Sequence, residues 1–488
     1  MTRLFDGFHA CPDRLAFSVG GVDLSYRDLD RRSASVAQAL KAKGIRPGER
    51  VAVQSETSAS LLGVIVAHLR LGVIHVPINT RYQADEIDHI LEDSQASLVL
   101  VDDGAPAADV AEARGTPWVP VDSLIGDPAG FEESWESDTP AMLIYTSGTT
   151  GRSKGVALSL NALSANVGAT TTLWHWSQDD HLVLALPLFH VHGLGLGVLG
   201  TLLTQMSATL HPRFDAERVI EAVAAGGSIF MGVPTMYARL IAHLKGEGQA
   251  REALRAARLF TSGSAALPAS DHEAFERLTG KRILERYGMS ETGFTLSNPY
   301  AGERRAGSVG FAVPGYEVRV VTDEGEDCGP GDAGEIWVRG DGLMLGYWGQ
   351  PEASASAFTE GWFRTGDVAR VDEDGYHHIL GRRSADIIKS GGFKISALEI
   401  EDVLLRDPAV AEVAVVGLPD PEWGERIVAA LVLTPGETID SERLDALSNA
   451  HLARFKCPRA YYPLTELPRN ALGKLQKHHL TAQLLAIK

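Results

Sequence analysis

Residues 141–155 read Ala141-Met142-Leu143-Ile144-Tyr145-Thr146-Ser147-Gly148-Thr149-Thr150-Gly151-Arg152-Ser153-Lys154-Gly155. An apolar run of strand length opens into a loop of glycines, hydroxyl residues and a lysine. Glycines let successive backbone N–H groups turn toward an anion, Thr and Ser add polar oxygens, and the Lys154 ammonium completes a cradle for phosphates. A plain surface turn requires no such concentration of these residues. The order also matters: a nucleoside-triphosphatase P-loop needs Gly-Lys-Ser/Thr in succession, whereas Ser153-Lys154-Gly155 stands here. A GTPase or ordinary kinase loop is thereby disfavoured.

Outward from this loop, short apolar runs such as Arg50-Val51-Ala52-Val53, Leu98-Val99-Leu100-Val101 and Leu182-Val183-Leu184-Ala185-Leu186 alternate with helix-like stretches. One of these carries Leu29, Val36 and Leu40 at spacings of seven and four. This alternation predicts an α/β fold of layered subdomains with parallel strands. From 306 to 376 short strands separated by Gly, Asp and Pro clusters predict a small β-rich, barrel-like unit. After Gly381-Arg382-Arg383-Ser384 a helix-like run from Ser396 to Leu405 and a strand from Val410 to Val416 begin a small α+β domain. The expected division is 1–382, a hinge at 383–384, and a mobile C-terminal domain at 385–488. The apolar stretch from His181 to Leu203 is long enough to span a bilayer, but Pro187 and its glycines and histidines predict buried strand, turn and helix instead.

The 488 residues carry 45 Lys+Arg against 63 Asp+Glu, a net charge of -18, which argues against a nucleic-acid or anionic-membrane surface. Any polyanion must be met by a local site. Cys11, Cys328 and Cys457 are too few and too scattered for a disulfide framework or a zinc quartet. With no apolar run of signal-peptide length at the N-terminus, a cytoplasmic location is expected. Oligomeric state is not readable from the sequence.

The loop resembles the phosphate loop of the adenylate-forming superfamily, which includes acyl-CoA synthetases, luciferases and peptide-synthetase adenylation domains. Further motifs of that superfamily follow in order: Arg286-Tyr287-Gly288-Met289-Ser290-Glu291-Thr292, Phe363-Arg364-Thr365-Gly366-Asp367, Gly381-Arg382, and Pro468-Arg469-Asn470-Ala471-Leu472-Gly473-Lys474. The resemblance spans nearly the whole chain. It implies a nucleotide site built from Thr146, Ser147, Gly148, Thr149, Thr150, Gly151, Lys154, Ser264, Ala265, Arg286, Tyr287, Gly288, Met289, Ser290, Thr292, Asp367, Arg382 and Lys474. Tyr287 would stack on adenine, Asp367 and Arg382 would hold the ribose, and Glu291 would hold Mg2+, a cation that prefers hard oxygen ligands. Thr146, Lys154, Glu291 and Lys474 would be catalytic, with the Lys474 ammonium reaching the substrate carboxylate and the α-phosphate.

The reaction implied has two steps. A carboxylate attacks the α-phosphorus of MgATP to give an acyl-adenylate and pyrophosphate, and a thiol then displaces AMP. Ser390, Gly391, Gly392 and Lys394 would form the face that admits the pantetheine of coenzyme A. Ser384 departs from the Asp or Lys usual at the family's hinge. Because no carrier-protein domain follows Lys488, a diffusible acceptor such as coenzyme A is expected. Arg286 and Arg239, in two segments that line the acyl pocket in the family, call for an anion. With His192 and Ser264 they match positions that grip a distal carboxylate in the malonyl-CoA synthetase branch. Malonate, with methylmalonate as a variant, is therefore the expected acid. A medium-chain or aryl acyl-CoA synthetase, or an adenylating enzyme loading a separate carrier protein, is the alternative.

Overall fold

The structure is a computed structural model describing residues 4–146, 153–246, 248–383, 386–390, 393–421, 423–452, 454–469 and 475–487. The chain divides into two compact units. The larger comprises Met1–Leu267, Asp271–Val318 and Val338–Phe363, and the smaller Pro268–Ser270, Arg319–Trp337 and Arg364–Lys488. The fold is mixed α/β, with a large N-terminal part and a smaller C-terminal one.

Two sheets organise the larger unit. In one, Arg50–Gln54 lies between Ile74–Pro77 and Leu98–Val101, all parallel. Pro140–Thr146 then pairs antiparallel with Lys154–Ser159 at one side of this seven-stranded sheet. The other has nine strands, with the parallel series Ser207–Leu210, His181–Leu184, Ile229–Gly232, Leu259–Ser262 and Leu284–Met289 at its heart. Near-continuous apolar strands mark sheets buried on both faces, and alternation sorts their side chains. Val51, Val53, Leu182 and Leu184 enter one shared core with Leu62 and Ile65 of the helix Ala59–Leu71, while Val183, Phe230 and Phe260 enter another. That helix is apolar on nearly every face and buried from Leu61 to Leu71. Ser58 caps it by accepting the Leu61 N–H at 3.1 Å, and Gly72 ends it in the left-handed region at φ 71°.

The helix carrying Leu29, Val36 and Leu40 runs Tyr26–Ala42, and all three residues are buried. The His181–Leu203 stretch is a strand, His181–Leu184, followed by a π-helical segment, His192–Gly200, and the helix Thr201–Thr204. Among the described residues no helix is long and apolar enough to cross a membrane.

In the smaller unit Val410–Asp420 and Gly424–Leu433 pair antiparallel over their lengths. The helices Ala397–Leu404 and Ser441–His451 supply Ile400, Val403 and Leu444 to one face, against Val413, Val415 and Ile427. Lys477–Ala486 supplies Leu480 and Leu484 to the other, against Ala414, Val416 and Val428. Trp362–Val371 and His377–Arg382 pair antiparallel, which sets Asp367 opposite Arg382.

Candidate active site

Parallel strands of an open α/β sheet end on a common edge, where ligands bind. Here Gly232 pairs with Ser262 and Ser262 with Glu285, so three strands finish side by side, next to the segment that begins at Arg286. Strand alternation turns Arg286 to the face opposite Glu285, whose carboxylate accepts the Gly307 N–H at 3.1 Å. Arg286 is 4% exposed, and its guanidinium lies over the Phe294 ring, 4.4 Å from the centroid. Its Nε and Nη2 have no hydrogen-bond partner among the described residues. Burial lowers its pKa to about 9, still well above neutrality, so the group is charged at pH 7.

His192 opens the π-helical segment and meets the same Phe294 ring edge-on at 5.9 Å. π-helical winding is frequent at functional sites. The His192 Nδ1 is 3.2 Å from Ser264 Oγ, and its Nε2 has no partner among the described residues. Burial, then the Arg286 charge, then His190 hold its pKa well below the ordinary histidine value, so the ring is neutral. Ser264 sits in the exposed turn after Leu259–Ser262, in the left-handed region at φ 68°. Ala265, beside it, is exposed.

Arg239 is placed differently. It is exposed on the helix Pro234–Leu244, with its guanidinium 4.7 Å above the Phe214 ring and within reach of the Asp215 charge. The expected pair of guanidinium groups at a buried pocket is therefore one buried cation and one exposed cation held by an aromatic face. No contact among those described joins Arg239 to Arg286, His192 or Ser264.

The strand pair Pro140–Thr146 and Lys154–Ser159 sets Thr146 opposite Lys154. Ser147, Gly148, Thr149, Thr150 and Gly151 lie outside the described residues. The short strand Gly346–Tyr347 pairs with Lys154–Ser159 and brings Tyr347 to both charges. The Lys154 ammonium lies 4.8 Å over the Tyr347 ring, whose hydroxyl donates to Glu291 Oε1 at 3.2 Å. Glu291 is buried, in the turn between Leu284–Met289 and Gly293–Ser297. Its hard oxygens fit one protein ligand of an Mg2+ ion that takes its other ligands from phosphates and water.

Tyr287, Gly288, Met289 and Ser290 are half-buried at this turn. A side chain on Gly288 would lie 2.1 Å from the Gly293 carbonyl oxygen, so glycine alone permits the two strands to approach. Thr292 faces inward: it is fully buried, and its hydroxyl donates to the Gly293 carbonyl at 3.3 Å.

In the smaller unit Arg382 Nε is 3.0 Å from Asp367 Oδ1, and Arg382 Nη1 donates to the Thr365 carbonyl. Gly366, at φ 72°, turns the chain between them. Ser390 is buried in the hairpin of Ile387–Ser390 and Phe393–Ser396. Gly391, Gly392, Ser384, Lys474 and the side chain of Lys394 lie outside the described residues.

Two family matches cover this framework: AMP-binding enzyme over residues 6–348 and AMP-binding enzyme C-terminal domain over residues 399–474. The chain belongs to the AMP-binding enzymes. The mitochondrial malonate–CoA ligase of Bos taurus is 35% identical over 97% of this chain and 88% of the relative. The indoleacetate–CoA ligase of Aromatoleum aromaticum is 36% identical over 98% and 96%. The crystal structure of ATP-bound MatB from Rhodopseudomonas palustris is 36% identical, covers 100% of this chain and 99% of its own, and superposes with a TM-score of 0.91.

Within this family fold the structure brings together Arg286, His192 and Ser264, and separately Thr146, Lys154 and Glu291. Phe294 and Tyr347, the rings that join the members of each group, are absent from the sequence-based expectations. Their roles come from cross-strand register, for which the residues themselves carry no signal. The same holds for Lys477, whose buried ammonium is 2.8 Å from both Asp386 and Glu401.

Proposed function

We propose that the chain is an ATP-dependent acid–thiol ligase that converts malonate and coenzyme A to malonyl-CoA, AMP and pyrophosphate, with methylmalonate as a second acid. The observation that carries this reading is the buried Arg286 cation, with two N–H-bearing nitrogens lacking partners among the described residues, beside a neutral imidazole. Leaving a buried charge unpaired costs about 2 to 5 kcal/mol, and a hydrogen bond to a charged group contributes about 1.5 to 3 kcal/mol. A second carboxylate on the substrate satisfies Arg286, whereas an alkyl tail leaves it desolvated and alone. His192, being neutral, can donate one hydrogen bond without adding a charge, with Ser264 holding its other nitrogen. Arg239 stays in the proposal as an exposed cation on the helix that follows Ile229–Gly232, the strand beside Leu259–Ser262.

In the first step a malonate oxygen bonds to the α-phosphorus while the bond to pyrophosphate breaks. Lys154 and Lys474 place positive charge where negative charge moves. Mg2+ held by Glu291 would neutralise phosphate charge. Tyr287 would stack on the adenine, and Asp367 with Arg382 would exchange part of their mutual pairing for the ribose hydroxyls. In the second step the coenzyme A sulfur bonds to the acyl carbon and AMP leaves; Ser390, Gly391, Gly392 and Lys394 would line its approach. A cytoplasmic setting belongs to the same proposal and rests on Cys11, Cys328 and Cys457 being too few and too scattered for a disulfide framework.

The test is nucleotide-product analysis with ATP, coenzyme A and a panel of malonate, octanoate and indoleacetate. AMP with coenzyme A consumption, fastest on malonate, is the expected result. Faster turnover of indoleacetate, the acid named for the relative that is 36% identical, contradicts the assignment. Adenylate formation without coenzyme A consumption points to a carrier-protein acceptor.

A further inference from the structure

We infer that Gly263 is a specificity-determining position: its missing side chain leaves the slot that the Arg286 guanidinium occupies beside Phe294, and so sets the preference for an acid with a second carboxylate. The inference rests on the reading of Arg286 given above. A Cβ atom on residue 263 would lie 2.4 Å from Arg286 Cζ, 2.6 Å from Nε and 2.7 Å from Nη1, all inside the separations at which non-bonded atoms attract. The Phe294 centroid is 4.4 Å from the same Cζ. The guanidinium thus touches bare backbone at Gly263 and an aromatic ring at Phe294. Nε and Nη2, the atoms without partners among the described residues, belong to this clamped group, whose planar geometry suits bidentate recognition of a carboxylate.

The requirement is for space, not for backbone conformation. Gly263 is not among the residues with left-handed backbone, so alanine fits the chain locally. The atoms it would strike belong to a flexible side chain, which can leave by changing rotamer. An added methyl group therefore evicts the cation and leaves the fold. Ser264, the next residue, is in the left-handed region and meets His192. Two consecutive turn residues thus position both polar groups of the site, one by absence and one by contact.

The experiment compares Gly263→Ala, Arg286→Ala and the double variant by thermal unfolding, and measures kcat/KM for malonate and propionate together with KM for ATP. For Gly263→Ala the malonate-to-propionate ratio is expected to fall on the order of 10- to 10²-fold, with KM for ATP at the parental value. Its Tm should drop, and the drop should vanish when the same methyl is added to Arg286→Ala, where no guanidinium remains to be displaced. A Gly263→Ala enzyme with the parental ratio overturns the inference, as does an equal Tm penalty with and without Arg286. Should Gly263→Ala fail to fold, a folded double variant supports the slot and an unfolded one overturns it. Unchanged malonate use by Arg286→Ala would instead sink the reading of the site, and the Tm comparison would still decide whether Gly263 acts through Arg286.

Discussion

Arg286 shows what one buried charge can decide. Desolvation lowers its pKa to about 9, and under the proposed reading an anionic ligand offsets the cost of burying the charge. The expected effect of Arg286→Ala is a loss of about 10²-fold or more in kcat/KM for malonate. Arg286 is legible in the sequence because it immediately precedes Tyr287 in a recognisable motif. Phe294 is not legible, because its contact depends on the antiparallel register and on the bulge between Tyr287 and Gly288. Arg239 is legible as a cation, but its exposure is not, since helical spacing does not reveal that Phe214 draws the guanidinium onto its ring.

At the scale of elements, hairpins do most of the positioning. The strand pair that sets Thr146 opposite Lys154, the turn that carries Glu291 and the pair that joins Asp367 to Arg382 each bring polar groups together by register. The strands themselves are legible from their apolar runs, whereas the π-helical winding at His192 leaves no periodic mark among its glycines. Lys477 ties elements together in the smaller unit. Burial opposes its charge, but Glu401 and Asp386 raise its pKa above the ordinary lysine value. Asp386 also accepts the Arg382 N–H at 2.9 Å, and Glu401 accepts the Val415 N–H at 2.7 Å. Lys477→Met leaves two carboxylates in the interior without their cation, an expected cost of about 3 to 5 kcal/mol. Faster hydrogen exchange in Val410–Asp420 and Gly424–Leu433 should report it. Exchange at the parental rate would show that the triad does not stabilise this sheet.

For the whole molecule, burial of neutral histidines predicts sensitivity to acid. His68 and His75, Nδ1 to Nδ1 at 3.0 Å, and His192 are all deeply buried. Burial holds His75 at a pKa of about 3 and His68 and His192 well below the ordinary 6.5. Above 6.5 neither folded nor unfolded chain is protonated at these sites, and nothing is lost. Below it the unfolded chain binds protons that the folded chain refuses. Stability should then fall by up to about 1.4 kcal/mol per pH unit for each histidine, down to the folded pKa values. Urea midpoints between pH 7.5 and 5 measure this; a flat profile would mean that these rings accept protons in place. The two-part α/β architecture is legible from the alternation of strands and helices, but the buried polar partners are not, because tertiary packing alone selects them. The account stands on discrimination between acids that differ in one charge. Its most direct measurement is the ratio of kcat/KM for malonate to that for propionate, in the parental enzyme and in Arg286→Ala. The prediction is a ratio of about 10² or more that collapses when the guanidinium is removed; a parental ratio near unity, or one that survives the substitution, contradicts it.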